Sequence, residues 1–337
     1  MLRITLLSFF ILAGTLVASA QTNGKESSKN GNGFLSSFIG GFSLHASTGF
    51  GATFYSHKIE GPGILQQKEG DVFLFDNFFV VGDTLNIGYT GWVNNAQAVG
   101  GIPIGDEDFL LGTDTAAVKY KGRGGSIPVS ATLSYTYDRY RFGAGVSYEL
   151  SFATKYYPNV ESTNLQPFKP NYVTSSITRY YAYLGGDVFR SIRHTIAVDA
   201  MVGKFKFGKK NFNPDQVKPK LFVNIGVSFE RSLSEYFKVF VRPSVEFKSY
   251  ELSVPLGYTV NQAMPAFYLN VGAILRMPDL NKCPVSQCRT QINHRHGNRV
   301  YRSKVHPFWK WQNPNYGQNY PELIKYKGKN KKKKNPY

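Results

Sequence analysis

Two absences narrow what this chain of 337 residues can be. It contains only two cysteines, and both lie close to the C-terminus, so disulfides cannot hold the rest of the chain together. After residue 20, polar residues or glycine interrupt every apolar run. None of these runs approaches the roughly 20 apolar residues that a membrane-spanning helix needs.

The first 20 residues have the pattern of a secretory signal peptide. A basic start, Met1-Leu2-Arg3, precedes an apolar run over residues 4–17, and an A-x-A cleavage site follows at 18–20. Such a segment directs export and is then removed. An exported chain with 15% aromatic residues, 33 glycines and no spanning helix is either a soluble periplasmic β-protein or an outer-membrane β-barrel.

The side chains of residues 141–152 alternate strictly in character. Phe142, Val146 and Leu150 are typical of the even positions, whereas the odd positions hold arginine, glycine, serine and Glu149. Successive side chains of a strand point to opposite faces, so one face of this strand is wholly apolar and the other is small or charged. This pattern favours a barrel in lipid with a polar interior.

Eight stretches share this alternation, and their connections are alternately short and long. The short turns lie near Asp138, Arg193 and Ser234, and the long connections cover 56–126, 157–177, 208–220 and 251–266. Outer-membrane barrels have an even number of strands, short periplasmic turns and longer outer loops. The sequence therefore predicts an all-β, eight-stranded antiparallel up-and-down transmembrane β-barrel over residues 42–277. Its predicted strands are 42–55, 128–137, 141–152, 178–189, 195–207, 221–231, 236–250 and 267–276.

The long first connection, 56–126, is predicted to be an extracellular loop. Long connections without secondary structure are rare, so this loop is expected to have structure of its own. Residues 71–81 and 84–93 resemble a hairpin that turns at Gly82-Asp83. Residues 21–41, rich in Gly, Ser, Asn and Lys, are predicted to be a flexible periplasmic leader.

A soluble barrel of the lipocalin kind is the alternative, because alternation alone does not distinguish inside from outside. The charges favour the membrane barrel, since mixed signs can pair inside a narrow lumen. Tyrosines at 135, 137 and 148 and around 180–183 suit girdles at the two membrane interfaces. The residues predicted to form the ion pairs of the lumen are Glu149, Glu230, Lys238, Arg242 and Glu246.

The signal cleavage site, the eight alternating strands and the turn Asp138-Arg139-Tyr140-Arg141 resemble the small outer-membrane barrels of Bacteroidota, the PorT-like or OmpA-like group. The resemblance covers residues 42–277. It implies a closed, non-enzymatic barrel that serves in envelope assembly, protein secretion or gliding complexes. This chain departs from the group in its long first loop and in its continuation beyond the last strand.

That continuation, residues 278–337, is predicted to be an irregular periplasmic tail. Its last 59 residues hold 14 Lys and Arg against two acids, in a chain of net charge +18. Cys283 and Cys288 are expected to form a small disulfide loop, because the periplasm oxidises thiols. A zinc site with His294 and His296 is the alternative, since thiolates and imidazoles are the usual zinc ligands.

The remainder of the tail is aromatic and basic, and it ends in a lysine run over 325–337. Exposed aromatic clusters with arginine and lysine are typical of binding anchors, so we expect the tail to dock a periplasmic partner. Plugging the periplasmic mouth of the barrel is the alternative. The predicted partner-binding residues are Arg299, Tyr301, Arg302, Phe308, Trp309, Lys310, Trp311, Tyr316 and Tyr320.

The function predicted from the sequence is that of an accessory or scaffold subunit of an envelope complex, in outer-membrane protein assembly or type IX-like secretion. The alternatives are a peptidoglycan tether and a barrel that binds or transports a small apolar ligand. The expected partners are outer-membrane lipid, other envelope proteins and peptidoglycan, without nucleic acid. No cofactor or catalytic residue is predicted, because G-x-S-x-G is absent and His57 and His194 would lie at opposite rims.

Overall fold

The computed structural model describes residues 38, 40–68, 71–112, 117–159, 165–191, 193–234, 236–255, 257–278, 280–288, 290, 294–297 and 299–302. The predicted signal peptide, most of the leader and the tail beyond Arg302 lie outside the described residues. The structure therefore does not test the predictions for the lysine run or for the partner-binding residues Phe308, Trp309, Lys310, Trp311, Tyr316 and Tyr320.

The described chain consists of strands, together with a short 3-10 helix at Asn77–Phe79. None of its helices is long and apolar enough to cross a membrane. In chain order the strands are β1 Phe42–Glu60, β2 Gly63–Gln66, β3 Val72–Phe75, β4 Val80–Val81, β5 Thr84–Thr90, β6 Gln97–Pro103, β7 Phe109–Leu111, β8 Ala117–Tyr137, β9 Tyr140–Pro158, β10 Thr174–Arg190, β11 His194–Phe207, β12 Val217–Pro219, β13 Leu221–Ser232, β14 Phe237–Phe247, β15 Ser249–Ser253, β16 Thr259–Ala263, β17 Ala266–Arg276, β18 His294–His296 and β19 Arg299–Tyr301.

One large antiparallel sheet closes on itself into a barrel. Its strands pair in the order β1-β17-β14-β13-β11-β10-β9-β8, and β8 pairs again with β1. The closing ladder is long, running from Phe42 opposite Tyr135 to Glu60 opposite Ala117. The predicted all-β antiparallel architecture is thereby confirmed.

The sheet is larger than the eight strands predicted, because it contains eleven. The additional strands are β12, β15 and β16, which extend one part of the sheet. Thr53 is the last residue of β1 that pairs with β17, and from Ser56 onward the same edge of β1 pairs with β16. The change of partner occurs at Pro265, whose carbonyl accepts a hydrogen bond from the Phe54 amide at 2.8 Å.

The outward face carries an apolar band that has the same length on three neighbouring strands. It runs from Leu44 to Phe54 on β1, from Ile127 to Tyr137 on β8 and from Phe142 to Phe152 on β9. Each run covers ten residue steps, which corresponds to about 25 Å at the usual rise and a tilt near 40°. Its large side chains are exposed, for example Phe50 at 63% and Leu133 at 52%.

The two faces exchange character at the end of the barrel where the long connections lie, which we call the long-loop end. On β1 the outward positions beyond Phe54 are polar, including Lys58, whereas the inward Tyr55, His57 and Ile59 are buried. We call the opposite end, which carries the turn at Asp138-Arg139, the short-turn end. The sequence prediction ended this strand at residue 55, where the inversion begins, whereas β1 continues to Glu60.

Strands β2 to β7 form a second sheet of six strands above the long-loop end, within residues 61–116. β4 and β5 make a hairpin whose turn contains Gly82 at a φ of +58°, a conformation that favours glycine. The buried Trp92, Tyr120 and Tyr156 surround Phe168, with ring centroids 5.0 to 5.3 Å from it. This aromatic core covers the barrel at the long-loop end.

The predicted aromatic girdle around residues 180–183 is wrong in part. Tyr180 faces outward and is 57% exposed, but Tyr181 and Tyr183 are buried inside the barrel. The parity of β10 requires this arrangement, because positions 180 and 182 share the outer face and positions 181 and 183 share the inner one. The Tyr181 hydroxyl is 2.8 Å from the Thr132 hydroxyl across the lumen.

Candidate functional site

The interior of the barrel contains a network of buried ion pairs, which begins near the short-turn end. Arg141 on β9 pairs with Glu230 on β13, and one of its nitrogens is 2.6 Å from a carboxylate oxygen of Asp187 on β10. The Lys238 ammonium donates to Glu230 at 3.0 Å from the next strand. Four strands are thus linked through one guanidinium and its neighbours.

A second group lies farther into the lumen, around Arg242 on β14. Its Nε donates to Asp199 at 2.7 Å and its Nη2 donates to the Asn224 side chain at 2.8 Å. Gly226 makes this possible, because a Cβ atom at that position would lie 2.6 Å from the guanidinium carbon. Close approach to a flat cation is a physical reason for glycine on the inward face.

The third group lies toward the long-loop end and contains two buried acids. Arg179 pairs with both Glu149 and Glu246, and its distance to the latter is 3.0 Å. The Lys248 ammonium lies 3.3 Å from Glu149 and 3.0 Å from Glu246. The Tyr268 hydroxyl donates to Glu149 at 2.8 Å. A fully buried charge is costly unless it is paired, and here every carboxylate has a cationic neighbour.

All five residues predicted for the lumen lie in these groups, together with others that share the inner face. The additional residues can be recognised in the sequence by parity, because they occupy alternate positions along each strand. Lys248 follows the same parity and lies within the predicted strand 236–250, although β14 ends at Phe247. The additional participants are Arg141, Arg179, Asp187, Asp199, Asn224, Lys248 and Tyr268.

Little space remains between these side chains. A cavity of about 50 Å³ is lined by His45, Tyr181, Arg242 and their neighbours. This volume suffices for a few water molecules, since one water needs only about 10–15 Å³ measured in this way. Sites for drug-sized ligands are typically about 300–1,000 Å³. The lumen described here is therefore filled by its own side chains.

A separate cluster of possible metal ligands follows the last barrel strand. One ligand atom from each of Cys283, Cys288, His294 and His296 lies within 4.8 Å of the others. Both cysteines are free thiols, so the expected disulfide is not present in the structure. Burial raises the pKa of the Cys288 thiol, but hydrogen bonds from Thr290, His296 and Cys283 outweigh burial and lower this pKa to about 6.

Three of the predicted partner-binding residues belong to the described part of the tail. Arg299 and Tyr301 lie on β19, opposite His296 and His294 of β18. The Arg302 carbonyl accepts a hydrogen bond from the Cys283 amide at 3.0 Å. These residues thus form the framework of the cysteine–histidine cluster.

Comparison with known proteins identifies no relative by sequence, since no family model and no curated protein matches the chain. Solved structures of similar arrangement are outer-membrane proteins. They include the Escherichia coli outer-membrane protease OmpT, with 9% identity and a TM-score of 0.32 over 76% of this chain and 99% of that one. AlkL matches with 11% identity and a TM-score of 0.31 over 76% and 95%. A Pseudomonas aeruginosa FadL homologue matches with 9% identity and a TM-score of 0.21 over 69% and 90%.

One prediction from the sequence is corrected by this comparison. The chain was predicted not to be an enzyme, and the protease OmpT is among the structures that it matches. The prediction that the chain is not an enzyme, made from the absent G-x-S-x-G motif and the separated histidines, is therefore wrong. At this degree of similarity the match gives no activity to the present chain.

Proposed function

We propose that the chain is an outer-membrane β-barrel whose lumen is filled by its own side chains. We propose further that it serves as an accessory or scaffold subunit of an envelope complex. The observation that carries this proposal is the arrangement of the two faces. Apolar side chains surround the barrel outside over about 25 Å, the height of the apolar band in such proteins. A soluble protein rarely exposes so large an apolar surface.

Cations on the outer face mark the boundary of this band at the long-loop end. Lys58, Lys121 and Arg123 lie just beyond the band on β1 and β8, and Lys204 and Lys206 lie at the same end of β11. All five are exposed. Lysine and arginine at this position suit anionic lipid headgroups, whose attraction decreases as salt screens it.

The membrane assignment predicts how the protein fractionates. After carbonate washing of isolated envelopes, the protein is expected to stay in the pellet and to need detergent for release. The reason is that transfer of the apolar band to water would expose every outward ring and aliphatic chain. Recovery of the folded protein in the aqueous fraction would contradict the proposal.

The filled lumen favours a scaffold over a transport barrel. We expect the purified protein to produce no steady conductance steps in a planar bilayer, because the ion pairs and the aromatic core leave no continuous path. A porin incorporated into the same membrane is the positive control. Discrete open levels that scale with salt concentration would instead support the transport alternative.

A scaffold requires surfaces that can hold partners, and both ends of the barrel offer one. At the long-loop end, the six-stranded sheet exposes Phe78 at 90% and Val81 at 62%. Exposed apolar residues of this kind are typical of protein-binding surfaces. At the short-turn end, the tail follows the last barrel strand and supplies aromatic and basic residues. We place the first surface outside the cell and the tail in the periplasm, because short turns face the periplasm in such barrels.

The scaffold role is tested by gentle detergent extraction and affinity capture of the tagged full-length protein. The same capture is repeated with a chain that ends at residue 278 and with a Phe78→Ser variant. We expect the truncation to lose periplasmic partners and F78S to lose external ones. An identical set of captured proteins in all three samples would argue against both surfaces.

A peptidoglycan tether is the second candidate, and it is favoured by the tail's 14 Lys and Arg against two acids. The full-length protein in detergent would then sediment with purified sacculi at low salt and be released at high salt. Sedimentation that the truncation at residue 278 leaves unchanged would reject the tail as the tether.

The aromatic core at the long-loop end gives a further prediction. The buried Tyr250 hydroxyl donates to the Val93 carbonyl at 2.7 Å. Tyr250→Phe leaves that carbonyl without this donor, so we expect a loss of about 1–3 kcal/mol in the free energy of unfolding. Urea titration of the protein refolded in lipid measures it. Tyr157→Phe, at a tyrosine that is 56% exposed, is the matched control and should have no measurable effect.

A further inference from the structure

The four ligand atoms after β17 have the spacing of a metal site. The Cys288 sulfur lies 3.1 Å from Nε2 of His294, and that nitrogen lies 3.1 Å from Nε2 of His296. A tetrahedral zinc ion, with Zn–N near 2.0–2.1 Å and Zn–S near 2.3 Å, holds its ligands roughly 3.3–3.8 Å apart. Small movements of the side chains would therefore place all four atoms around one ion.

The backbone explains how an H-x-H sequence directs two rings at one point. His294 and His296 lie two positions apart on β18, so their side chains share one face of the hairpin. β19 holds β18 in this conformation through the pairs His294 with Tyr301 and His296 with Arg299. Gly297, at a φ of +59°, begins the turn of the hairpin.

The cysteines are delivered to the same face by two further contacts. The amide of Cys283 donates to the Arg302 carbonyl at 3.0 Å, which fixes this cysteine beside the end of β19. The amide of Cys288 donates to the Val285 carbonyl at 3.2 Å, which closes a turn between the two cysteines. Together these contacts bring sulfur and nitrogen ligands from three separate segments to one place.

We propose that Cys283, Cys288, His294 and His296 bind a structural zinc ion at the base of the tail. Two thiolates and two imidazoles are a donor set that favours zinc, and four protein ligands leave no open position for catalysis. The two thiolate charges neutralise the ion, so the site needs no further counter-charge. This inference concerns the tail alone and does not depend on the proposed scaffold role.

A disulfide between the cysteines is the competing arrangement, and it accounts for less of the structure. It would use the two sulfurs and would not explain why the two imidazoles lie 3.1 Å apart beside them. A zinc ion would use all four groups and would link the hairpin of β18 and β19 to Cys283 and Cys288. Metal binding of this kind contributes directly to folding, because the ligand set does not exist in the unfolded chain.

The test uses the full-length protein, purified in detergent without chelators and analysed for metal by mass spectrometry. We expect about one zinc per chain, and loss of this zinc from Cys288→Ser and from His296→Ala. His194→Ala is the matched control, because His194 is an exposed histidine at the same end of the barrel and should leave the zinc unchanged. Retained heat-modifiable migration on gels shows that each variant still contains a folded barrel.

Thiol labelling provides the second measurement on the same samples. In the zinc-loaded protein both thiols should react slowly, and a chelator should make both react without any reductant. Protein without zinc whose thiols react only after reduction would establish the disulfide and overturn the proposal. Zinc that remains at the same stoichiometry in both C288S and H296A would overturn it as well, since the ion would then be bound elsewhere.

Discussion

Replacement of Arg179 by methionine is expected to lower the free energy of unfolding by about 3–5 kcal/mol, the usual loss when one partner of a buried ion pair is removed. Arg179 is 3% exposed, and it lies between Glu149 and Glu246. Lys248 remains near both acids in the variant, but one ammonium cannot neutralise two buried carboxylates. Urea titration of the protein refolded in lipid bilayers measures the change.

A double variant separates the unpaired charge from the loss of packing. Arg179→Met combined with Glu149→Gln leaves one acid, Glu246, beside one cation, Lys248, so the double variant should recover most of the stability lost by R179M. Lys58→Met is the matched surface control, because Lys58 and Glu60 form an ion pair whose side chains are each 57% exposed. Exposed pairs contribute only about 0–1 kcal/mol. Equal losses in R179M and K58M would contradict the buried network.

The sequence predicts the closed sheet of this fold well, because an apolar outer face and a polar inner face give its strands a two-residue period. Seven of the eight predicted stretches lie within single strands of the closed sheet, whereas 236–250 extends beyond β14 into the additional strand β15. Parity places Glu149, Glu230 and Glu246 on the inner face. Beyond the apolar band the same rule fails. There the inner face packs against loops, so the apolar and polar positions of β1 and β8 are exchanged beyond Phe54 and Ile127.

Other features could not be predicted from local pattern because they depend on contacts that are distant in sequence. The aromatic core joins Trp92, Tyr120, Phe168 and Tyr250, which come from four separate segments. The additional strands β12, β15 and β16 are only three to five residues long, so their alternation is too short to predict a strand. The zinc alternative was recognised from residue types, but only the hairpin of β18 and β19 brings the two imidazoles to one point.

The assignment of the outer face gives the second large prediction. Val146→Arg places a guanidinium near the middle of the apolar band on β9, at a residue that is 44% exposed and lies opposite Ala131 and Tyr180 of the neighbouring strands. In a bilayer the charge contacts hydrocarbon, so we expect a loss of about 2–4 kcal/mol in the free energy of unfolding. The measurement is the same urea titration in lipid.

Val81→Arg is the control that makes this result specific, because it is the same substitution at another exposed valine. Val81 lies on β4 of the six-stranded sheet and is 62% exposed, but it faces water if the band between Leu44 and Phe54 marks the membrane. Arginine there should change the stability by less than about 0.5 kcal/mol, the normal range for surface substitutions. The difference between the two variants therefore measures the surroundings of Val146 and not the intrinsic effect of arginine in a strand. If V146R were as stable in the bilayer as V81R, the apolar band would not contact hydrocarbon, and the membrane assignment would have to be abandoned.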